Sequence, residues 1–359
     1  GENEQAVSIL RKLHNSPVAG VYAFTKQGAG TTTRDTIVRY IERGLGHIYE
    51  INMSTLKEER ISNETRPKIY EALWGNTGNG IAIRYLNGER GDTIQTYSIV
   101  LRDIKNTTTA EEGKLVESEG EFLRENISEV AISQGKGDRM FYILPTGDSS
   151  VGITVGFDGK KQEQVFDSPL KEWLPFWPND KLITLTTKPS QNVPGFMYFL
   201  DAQTGKTTKT LGRINGLTTL TSPDGKNVLY SESTSNSINL YTYDVAKDSR
   251  AKLSLATLPD KCVWSKIKIG VLYCGVPQTA LSGSLPDSWY QGVTSFSDDI
   301  WMIDIATNTT TLLVSPMKIA GEEIDATKLL LSPDESFLLF VNKKDSAPWS
   351  LRLAGVELR

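Results

Sequence analysis

The sequence predicts an all-β fold, a seven-bladed β-propeller made of four-stranded antiparallel blades. Three observations predict it: a repeated hairpin, a regular spacing of strand junctions, and a polar turn residue at a fixed place in several repeats. The hairpin is clearest at Thr221–Ser231, and Leu331–Val341 and Trp264–Cys274 match it position for position. In the first copy Pro223 presets φ and Gly225 supplies a positive φ, so that two strands return on each other.

The blade number follows from seven junctions, in each of which a short strand and a linker precede an apolar strand. The first strands of the junctions begin at Ser8, Glu59, Glu121, Gln164, Lys209, Leu253 and Thr311. Successive junctions therefore lie 51, 62, 43, 45, 44 and 58 residues apart. Such periods are typical of propeller blades of roughly 40–50 residues, with insertions in the longer units.

The two ends of the chain are predicted to close the ring together. The last unit ends at Arg359 with only three strands, whereas the first junction needs an outer strand before Val18. Residues 6–13 are therefore expected to be the fourth strand of the last blade, which removes an exposed sheet edge. A short amphipathic helix is the competing interpretation, but a helix of that length is marginal in isolation. Residues 1–359 then form one domain.

A polar residue follows an aromatic residue on the third strand of several units. Tyr49, Tyr198, Tyr241 and Trp301 are followed three positions later by Asn52, Asp201, Asp244 and Asp304. These side chains are expected to close Asx turns into the outermost strands. Since one such residue per blade is what a structural turn requires, a metal-binding or catalytic role is the weaker interpretation.

Two insertions interrupt the repeat. Residues 105–118 are polar and rich in threonine, which predicts a solvated loop. Residues 277–298 interrupt the sixth blade between its second and third strands and contain two adjacent large aromatic residues. Such a pair either plugs the loop onto the ring or faces a partner, and we favour the plug. The candidate binding residues of this insertion are Asp287, Trp289, Tyr290 and Gln291.

The two cysteines are predicted to lie opposite each other. Superposition of Trp264–Cys274 on the clearest hairpin pairs Cys262 with Cys274 on neighbouring antiparallel strands. Directly opposed residues lie within the Cα separation that a disulfide accepts. A disulfide would indicate an oxidising compartment, and the alternative is a pair of small buried thiols in a cytosolic sheet.

Composition excludes several classes of protein. The net charge of −4 and the pI near 5.5 leave no basic field for phosphate backbones, so nucleic acid is not an expected partner. No run of 18 apolar residues occurs, so the sequence contains neither a membrane span nor a secretory signal. The polar start at Gly1 leads us to expect a signal or an anchor upstream in the native protein.

The sequence does not contain the usual catalytic constellations. The two histidines, His14 and His47, belong to different units and are too few for a histidine-rich zinc site, and two cysteines are too few for a cysteine-rich one. No Gly-x-Ser-x-Gly motif occurs. We therefore expect no catalytic residue, no metal and no cofactor, and a Ca²⁺ site at Asp298 and Asp299 is the weaker alternative. A glycosidase needs two carboxylates about 5–10 Å apart, but the sequence does not say which of the 43 acidic residues converge.

The Ser-Pro-Asp-Gly hairpin and the aromatic-x-x-Asp-x-x-Thr strand resemble the TolB-like propeller repeat over nearly the whole chain. The Gly-His and Trp-Asp pairs of true WD repeats are missing. Several segments look like uncharacterised envelope propellers of candidate-phylum bacteria, namely Pro17–Gly20, Val38–Arg43, Gly46–Tyr49, Lys261–Ser265, Tyr273–Cys274 and Leu285–Gly292. This resemblance implies a location outside the cytoplasm and an N-terminal membrane anchor. It implies no activity.

The expected function is that of a non-catalytic binding or scaffolding propeller at the cell envelope, monomeric in isolation. Its partner would be a protein segment or an envelope glycan, met at the central channel or at residues 277–298. The main alternative is a carbohydrate-active hydrolase or lyase that uses carboxylates of the channel. A periplasmic accessory of a larger complex is a third hypothesis.

Overall fold

The computed structural model describes residues 9–27, 34–87, 91–104, 116–235 and 237–353. These residues form seven four-stranded antiparallel sheets arranged as the blades of a propeller, which confirms the predicted fold class. In each of the first six blades the four strands follow one another in chain order, from the innermost strand at the central channel to the outermost.

The first four blades contain strands β2 to β17. Blade 1 consists of β2 (Val18–Gln27), β3 (Arg34–Glu42), β4 (Ile48–Asn52) and β5 (Glu58–Arg60). Blade 2 consists of β6 (Ile69–Trp74), β7 (Gly80–Asn87), β8 (Thr93–Asp103) and β9 (Val116–Phe122). Blade 3 consists of β10 (Glu129–Ile132), β11 (Arg139–Thr146), β12 (Ser149–Gly156) and β13 (Glu163–Ser168). Blade 4 consists of β14 (Trp173–Asn179), β15 (Leu182–Thr187), β16 (Pro194–Asp201) and β17 (Thr207–Asn215).

The last three blades contain the remaining strands and two short helices. Blade 5 consists of β18 (Thr218–Thr221), β19 (Asn227–Ser233), β20 (Ile238–Asp244) and β21 (Ser249–Lys252). Blade 6 consists of β22 (Cys262–Trp264), β23 (Val271–Pro277), β24 (Asp298–Asp304) and β25 (Thr309–Val314), with α1 (Asp287–Tyr290) in its insertion. Helix α2 (Pro316–Ala320) leads into blade 7, which consists of β26 (Ala326–Leu331), β27 (Phe337–Asn342), β28 (Pro348–Arg352) and the N-terminal β1 (Leu10–Lys12).

Closure of the ring by the N-terminal strand is confirmed. Leu10 pairs with Leu351 and Lys12 with Trp349, so β1 is the outermost strand of blade 7. Leu10 is also buried in the apolar cluster between blades 6 and 7. The strand begins later than expected, at Leu10, and residues 6–8 of the predicted segment lie outside the described residues.

A serine hydroxyl holds the repeated hairpin turn together. The hydroxyl of Ser222 donates to Asp224 and accepts from the backbone N–H of Asn227 at 3.0 Å. Ser332 makes the same two bonds in blade 7. There Glu335 takes the positive φ of 53° that a glycine takes in blade 5. Its carboxylate compensates by accepting backbone N–H groups from the neighbouring turn of blade 6.

The Asx turns also form as the sequence indicates. Asp201 Oδ1 accepts the backbone N–H groups of Gln203 and Thr204, at 3.0 and 2.8 Å. Those hydrogen bonds, that of Thr204 first, lower the pKa of Asp201. Asn52, Asp244 and Asp304 accept the equivalent pairs of N–H groups in their own blades. These four side chains have structural partners that explain their spacing.

Tryptophans at the ends of three innermost strands pack between neighbouring blades. Trp74, Trp177 and Trp264 are buried, and each contacts apolar residues of the preceding blade. The indole N–H of Trp264 donates to the carbonyl of Leu220 in blade 5 at 3.1 Å. Large aromatic side chains bury about 150–250 Å² each, so these contacts contribute strongly to the seams between blades.

The predicted disulfide is present. Cys262 and Cys274 are joined, and they face each other in the register of β22 and β23. Both sulfur-bearing side chains are buried between blades 5 and 6. Among the described residues no helix is long and apolar enough to cross a bilayer.

Of the two predicted insertions, one is shorter than expected and the other lies where the sequence predicts it. The threonine-rich loop ends before residue 116, because Val116–Phe122 forms strand β9, and residues 105–115 lie outside the described residues. The insertion of blade 6 occupies the stretch between Pro277 and Asp298, where β23 ends and β24 begins.

Candidate functional site

The insertion of blade 6 lies on one face of the ring. In an antiparallel blade, the connections after the second and fourth strands emerge on the same face, and those after the first and third emerge on the other. The insertion follows the second strand of its blade, so it shares a face with the linkers between blades. We call this the insertion face and the other the opposite face.

Trp289 anchors the insertion in the ring. Its side chain is 4% exposed and packs in an apolar cluster with Leu258, Leu281, Leu285 and Phe296. Its indole N–H donates to Asp325 Oδ2, in front of blade 7, at 3.0 Å. The structure therefore has the plug arrangement for Trp289, which fills the interior and does not face solvent.

The insertion also contacts three other blades through polar groups. Asp287 Oδ2 accepts the backbone N–H of Gln191, in blade 4, at 2.7 Å. The hydroxyl of Ser233, in blade 5, donates to the carbonyl of Leu285 at 2.8 Å. Lys343, beyond β27 of blade 7, donates to the carbonyl of Trp289. These contacts fix the insertion across the mouth of the central channel.

Tyr290 points the other way from Trp289, into the channel. It is 40% exposed, and its hydroxyl donates to Asp260 Oδ1 at 2.7 Å. Gln291 follows at the end of α1 and is exposed. Of the four candidate binding residues, Trp289 and Asp287 hold the insertion, whereas Tyr290 and Gln291 are accessible at the channel mouth.

A cavity of about 1030 Å³ forms the channel mouth on the insertion face. Its wall combines apolar side chains from the innermost strands with acidic and basic groups. The apolar residues are Leu174, Pro175, Phe176, Leu220, Pro259 and Leu329, and the charged ones are Glu71, Glu129, Glu172, Lys188, Asp260, Asp287, Lys328 and Lys343. A cavity of this size can accept a drug-sized molecule or a few residues of a peptide.

Two of the acidic residues have cationic partners. Glu172 is 3.0 Å from Lys188, and Glu71 is 2.8 Å from the buried guanidinium of Arg84. Lys328 also approaches Glu71, at 3.8 Å. Arg84 in turn donates to two backbone carbonyls just before β10, which fixes the guanidinium behind the channel wall.

The other three acids, Glu129, Asp260 and Asp287, lack such partners, since within the described residues no lysine or arginine nitrogen lies within 4.0 Å of their carboxylates. Asp287 instead accepts the backbone N–H of Gln191. Burial raises the pKa of Glu129 to about 7, against the opposing effect of Arg84. Partial desolvation in the channel also raises the pKa of Asp260, whose side chain is exposed at the mouth, and partial desolvation together with Asp260 raises that of Tyr290. The charged form of Glu129 is therefore poorly stabilised in the free protein, and that of Asp260 less so, because the hydroxyl of Tyr290 donates to it.

The channel is bridged at its other end. Lys266, in the turn between β22 and β23, donates to the carbonyl of Gln134 in blade 3 at 3.4 Å. Blades 3 and 6 lie on opposite sides of a seven-membered ring, so this bond crosses the channel. Partial desolvation lowers the pKa of this exposed lysine.

Asp298 and Asp299, which the sequence offered as an alternative Ca²⁺ site, have side chains in different environments. Asp298 is fully buried and lies 2.7 Å from the ammonium of Lys261, whereas Asp299 accepts a hydrogen bond from Gln278 at 2.7 Å. The part of the chain that the structure describes contains no group of three or more histidine, cysteine or acidic residues placed to hold a metal.

The sequence did not single out Glu129, Asp260 or their neighbours Glu71 and Glu172. Each of them lies in or just before the innermost strand of its blade. That shared position is the signal that would have found them, because the start of every innermost strand borders the same channel. The sequence alone did not show which of them keep a cationic partner.

Comparison with known proteins shows which solved structures share this fold. No family model matches the chain, and no curated protein matches it. Many solved structures resemble it, among them the following three. An oligogalacturonate lyase from Vibrio parahaemolyticus has a TM-score of 0.55 at 9% identity, over 95% of this chain and 99% of that one. The β-propeller domain of the Trilobed protease from Pyrococcus furiosus has a TM-score of 0.53 at 13% identity, over 93% and 96%. An uncharacterised protein from Listeria monocytogenes has a TM-score of 0.54 at 11% identity, over 93% and 96%.

At these identities the likeness shows the fold alone. Propellers of this kind occur in a lyase, in a protease and in an uncharacterised protein, so the architecture does not select one chemistry. The function has to be argued from the residues of the channel mouth.

Proposed function

We propose that this protein is a non-catalytic binding propeller of the cell envelope. Its site is the channel mouth on the insertion face, and its ligand is a protein segment that presents a lysine or arginine side chain. The observation that carries the proposal is the pair of carboxyl groups, Glu129 and Asp260, that line the mouth without a cationic partner among the described residues.

A cationic side chain matches both the charge and the shape of this site. Its charge would stabilise the ionised forms of Glu129 and Asp260 and bring their pKa values back towards the usual range. Its methylene stem would pack on the apolar wall that includes Leu174, Pro175 and Leu329.

The envelope location rests on two supports. The Cys262–Cys274 disulfide is typical of oxidising compartments. The hairpin repeat also resembles TolB-like propellers and envelope propellers of candidate-phylum bacteria. We propose that the native protein acts outside the cytoplasm.

The test is a peptide array scored for binding of the folded protein at pH 7.5. It compares peptides that contain lysine or arginine with matched peptides in which norleucine replaces the cationic residue. We expect binding to the cationic set and at least a tenfold loss for the double variant Glu129→Gln, Asp260→Asn. The control is Glu172→Gln at the same mouth, whose carboxylate is paired with Lys188 and is expected to change affinity less than threefold. Equal binding of norleucine peptides, or binding only to a glycan array, would contradict the proposal.

A second candidate is a carbohydrate-active lyase or hydrolase. It is favoured by one observation: a carboxyl group with a pKa of about 7, Glu129, lines an open cavity, as a general acid or base requires. The oligogalacturonate lyase shares only the fold. Incubation with acidic and neutral oligosaccharides, followed by mass spectrometry of the products, tests this candidate. Cleavage that disappears in Glu129→Gln would replace the binding function with an enzymatic one.

A further inference from the structure

We propose that the buried cluster of Lys261, Asp298 and Asp325 is a pH-sensitive latch that holds the insertion over the channel. Its state determines whether the hydroxyl of Tyr290 stays hydrogen-bonded to Asp260. The consequence for ligand access rests on the proposed binding function, whereas the latch itself does not.

The cluster contains one cation and two carboxyl groups. All three side chains have 0% exposure, and the ammonium of Lys261 is 2.7 Å from Asp298 Oδ2 and also bonds Asp325. If both acids are ionised, the cluster has a net charge of −1 in the protein interior. Burying an uncompensated charge is costly, so such a cluster favours uptake of one proton.

Most of the bonds to Asp325 come from the insertion. It accepts the indole N–H of Trp289 at 3.0 Å, the hydroxyl of Ser295 at 3.1 Å and the backbone N–H of Phe296 at 3.1 Å, besides the bond from Lys261. Three of its four hydrogen-bond donors therefore belong to the insertion. Undocking of the insertion would break three of these bonds and admit water to the cluster.

Asp298 is the group that takes the proton. Its Oδ2 accepts from Lys261 and from the backbone N–H of Ala326, but its Oδ1 has no hydrogen-bond partner among the described residues. Burial raises its pKa from 3.8 to about 6, with Lys261 opposing and Asp325 adding to the rise.

Other charged groups face the cluster from the elements around it. Lys343, beyond β27, lies 4.6 Å from the centre of the Trp289 ring, and burial lowers its pKa. Asp260 precedes Lys261 in the chain, and the hydroxyl of Tyr290 bonds it at the channel mouth. Lys343 therefore contacts Trp289 directly, whereas Asp260 contacts the adjacent Tyr290.

The sign of the pH effect follows from these pKa values. The docked insertion keeps Asp298 protonated up to pH about 6, whereas in the undocked, hydrated state its pKa returns towards 3.8. The contribution of Asp298 to docking is therefore complete near pH 4, falls between pH 4 and 6, and is lost above pH 6. The difference of about two pKa units corresponds to a change of up to ~100-fold in the docking equilibrium.

Release of the insertion has a consequence for the channel. Trp289 and Tyr290 are adjacent, so loss of the Trp289 anchor frees the bond between Tyr290 and Asp260. Asp260 is then available to a cationic ligand. The latch would keep the insertion docked over the channel mouth at acidic pH and release it near neutral pH.

Hydrogen exchange of residues 278–297 in the free protein tests the latch without any ligand. After correction for the intrinsic pH dependence of exchange, we expect opening of this segment to be 10- to 100-fold more frequent at pH 7.5 than at pH 4.5. Asp298→Asn, which cannot ionise, should reduce this ratio to less than threefold. The matched control Asp299→Asn alters the next carboxylate, outside the cluster, and should keep the wild-type ratio.

An unchanged opening frequency in the wild-type protein would overturn the latch, and this measurement does not depend on whether Asp298→Asn folds. A pH-dependent opening that persists in Asp298→Asn would also overturn it. Peptide binding at pH 7.5 is measured separately. Binding with a flat exchange profile refutes the latch alone, whereas a pH-dependent exchange profile without binding of cationic peptides refutes the proposed function alone.

Discussion

At the scale of single residues, the acidic side chains of the channel mouth differ in whether a lysine or arginine lies beside them. Glu71 and Glu172 have cationic neighbours, and their surroundings resemble ordinary ion pairs. Glu129 and Asp260 have none within the described residues, and the pKa of both is raised, by burial at Glu129 and by partial desolvation at the exposed Asp260. Residues of the same chemical type at equivalent places in different blades therefore differ in what they can bind.

The raised pKa of Glu129 predicts a pH dependence of stability. Its folded pKa of about 7 lies above its ordinary value of 4.5, so the folded protein binds the proton more tightly. Stability from this group is complete below pH 4.5 and is lost as the pH rises to 7. We expect Glu129→Gln to be more stable than wild type by about 1–2 kcal/mol at pH 8, after allowance for channel water.

Urea unfolding of both proteins at pH 4.5 and pH 8 measures this difference. The stability gap should be small at pH 4.5 and open at pH 8. Glu172→Gln is the control, because that carboxylate is exposed and paired with Lys188. A gap that is equal at both pH values would show that Glu129 titrates normally.

At the scale of elements, blade 6 has the shortest innermost strand of the seven blades. Among the described residues it also has the longest connection between its second and third strands. Strand β22 has only three residues, and the disulfide joins its first residue to β23. The insertion that follows β23 adds its own apolar cluster, with Trp289 and Phe296 at its centre. Covalent bonding and the insertion thus stabilise a blade whose innermost pairing is short.

Loss of the disulfide is predicted to destabilise the protein by about 2–3 kcal/mol, because a bridge that closes a loop of this length restricts the unfolded chain. The double variant Cys262→Ser, Cys274→Ser should therefore unfold at a lower urea concentration than the wild type. Reduction of the wild-type protein with dithiothreitol should give the same shift. If reductant lowers the wild-type midpoint but leaves that of the double variant unchanged, the shift belongs to the disulfide.

At the scale of the whole molecule, the N-terminal strand joins the two ends of the ring. Leu10 packs between blades 6 and 7, and His14 then bonds Glu58 in the outermost strand of blade 1 at 3.1 Å. Lys12 adds an ion pair to Glu322, ahead of blade 7, at 3.4 Å. The segment from Leu10 to His14 therefore contacts both sides of the closure.

Removal of the first 13 residues should destabilise the folded propeller more than the loss of so short a segment suggests. The truncation exposes the backbone edge of β28 and uncovers the apolar cluster beneath Leu10. We expect a lower melting temperature and concentration-dependent aggregation in light scattering. A truncation that stops at residue 8, before β1, is the control and should behave as the full chain does. Equal behaviour of the two truncations would contradict a closing role for β1.

The candidate site was only partly predictable from the sequence. The insertion of blade 6 was identified, and for its aromatic pair the plug was favoured over a surface that faces a partner. Trp289 is buried as a plug would be, whereas Tyr290 lines the channel mouth. Glu129 and Asp260 were not identified, because they are 131 positions apart in the chain. Nothing in local pattern indicates that two such residues border one cavity.

The blade number, the hairpin and Asx turns, the closing strand and the Cys262–Cys274 pair could all be predicted from the amino-acid sequence. All of these depend on interactions between residues close in the chain or on a repeat period that can be counted. The folded structure was needed to show which acids lack a cation, how Lys261, Asp298 and Asp325 meet, and which way each aromatic of the insertion points. Those properties depend on burial and on the radial arrangement of the blades, which bring distant residues together around one axis.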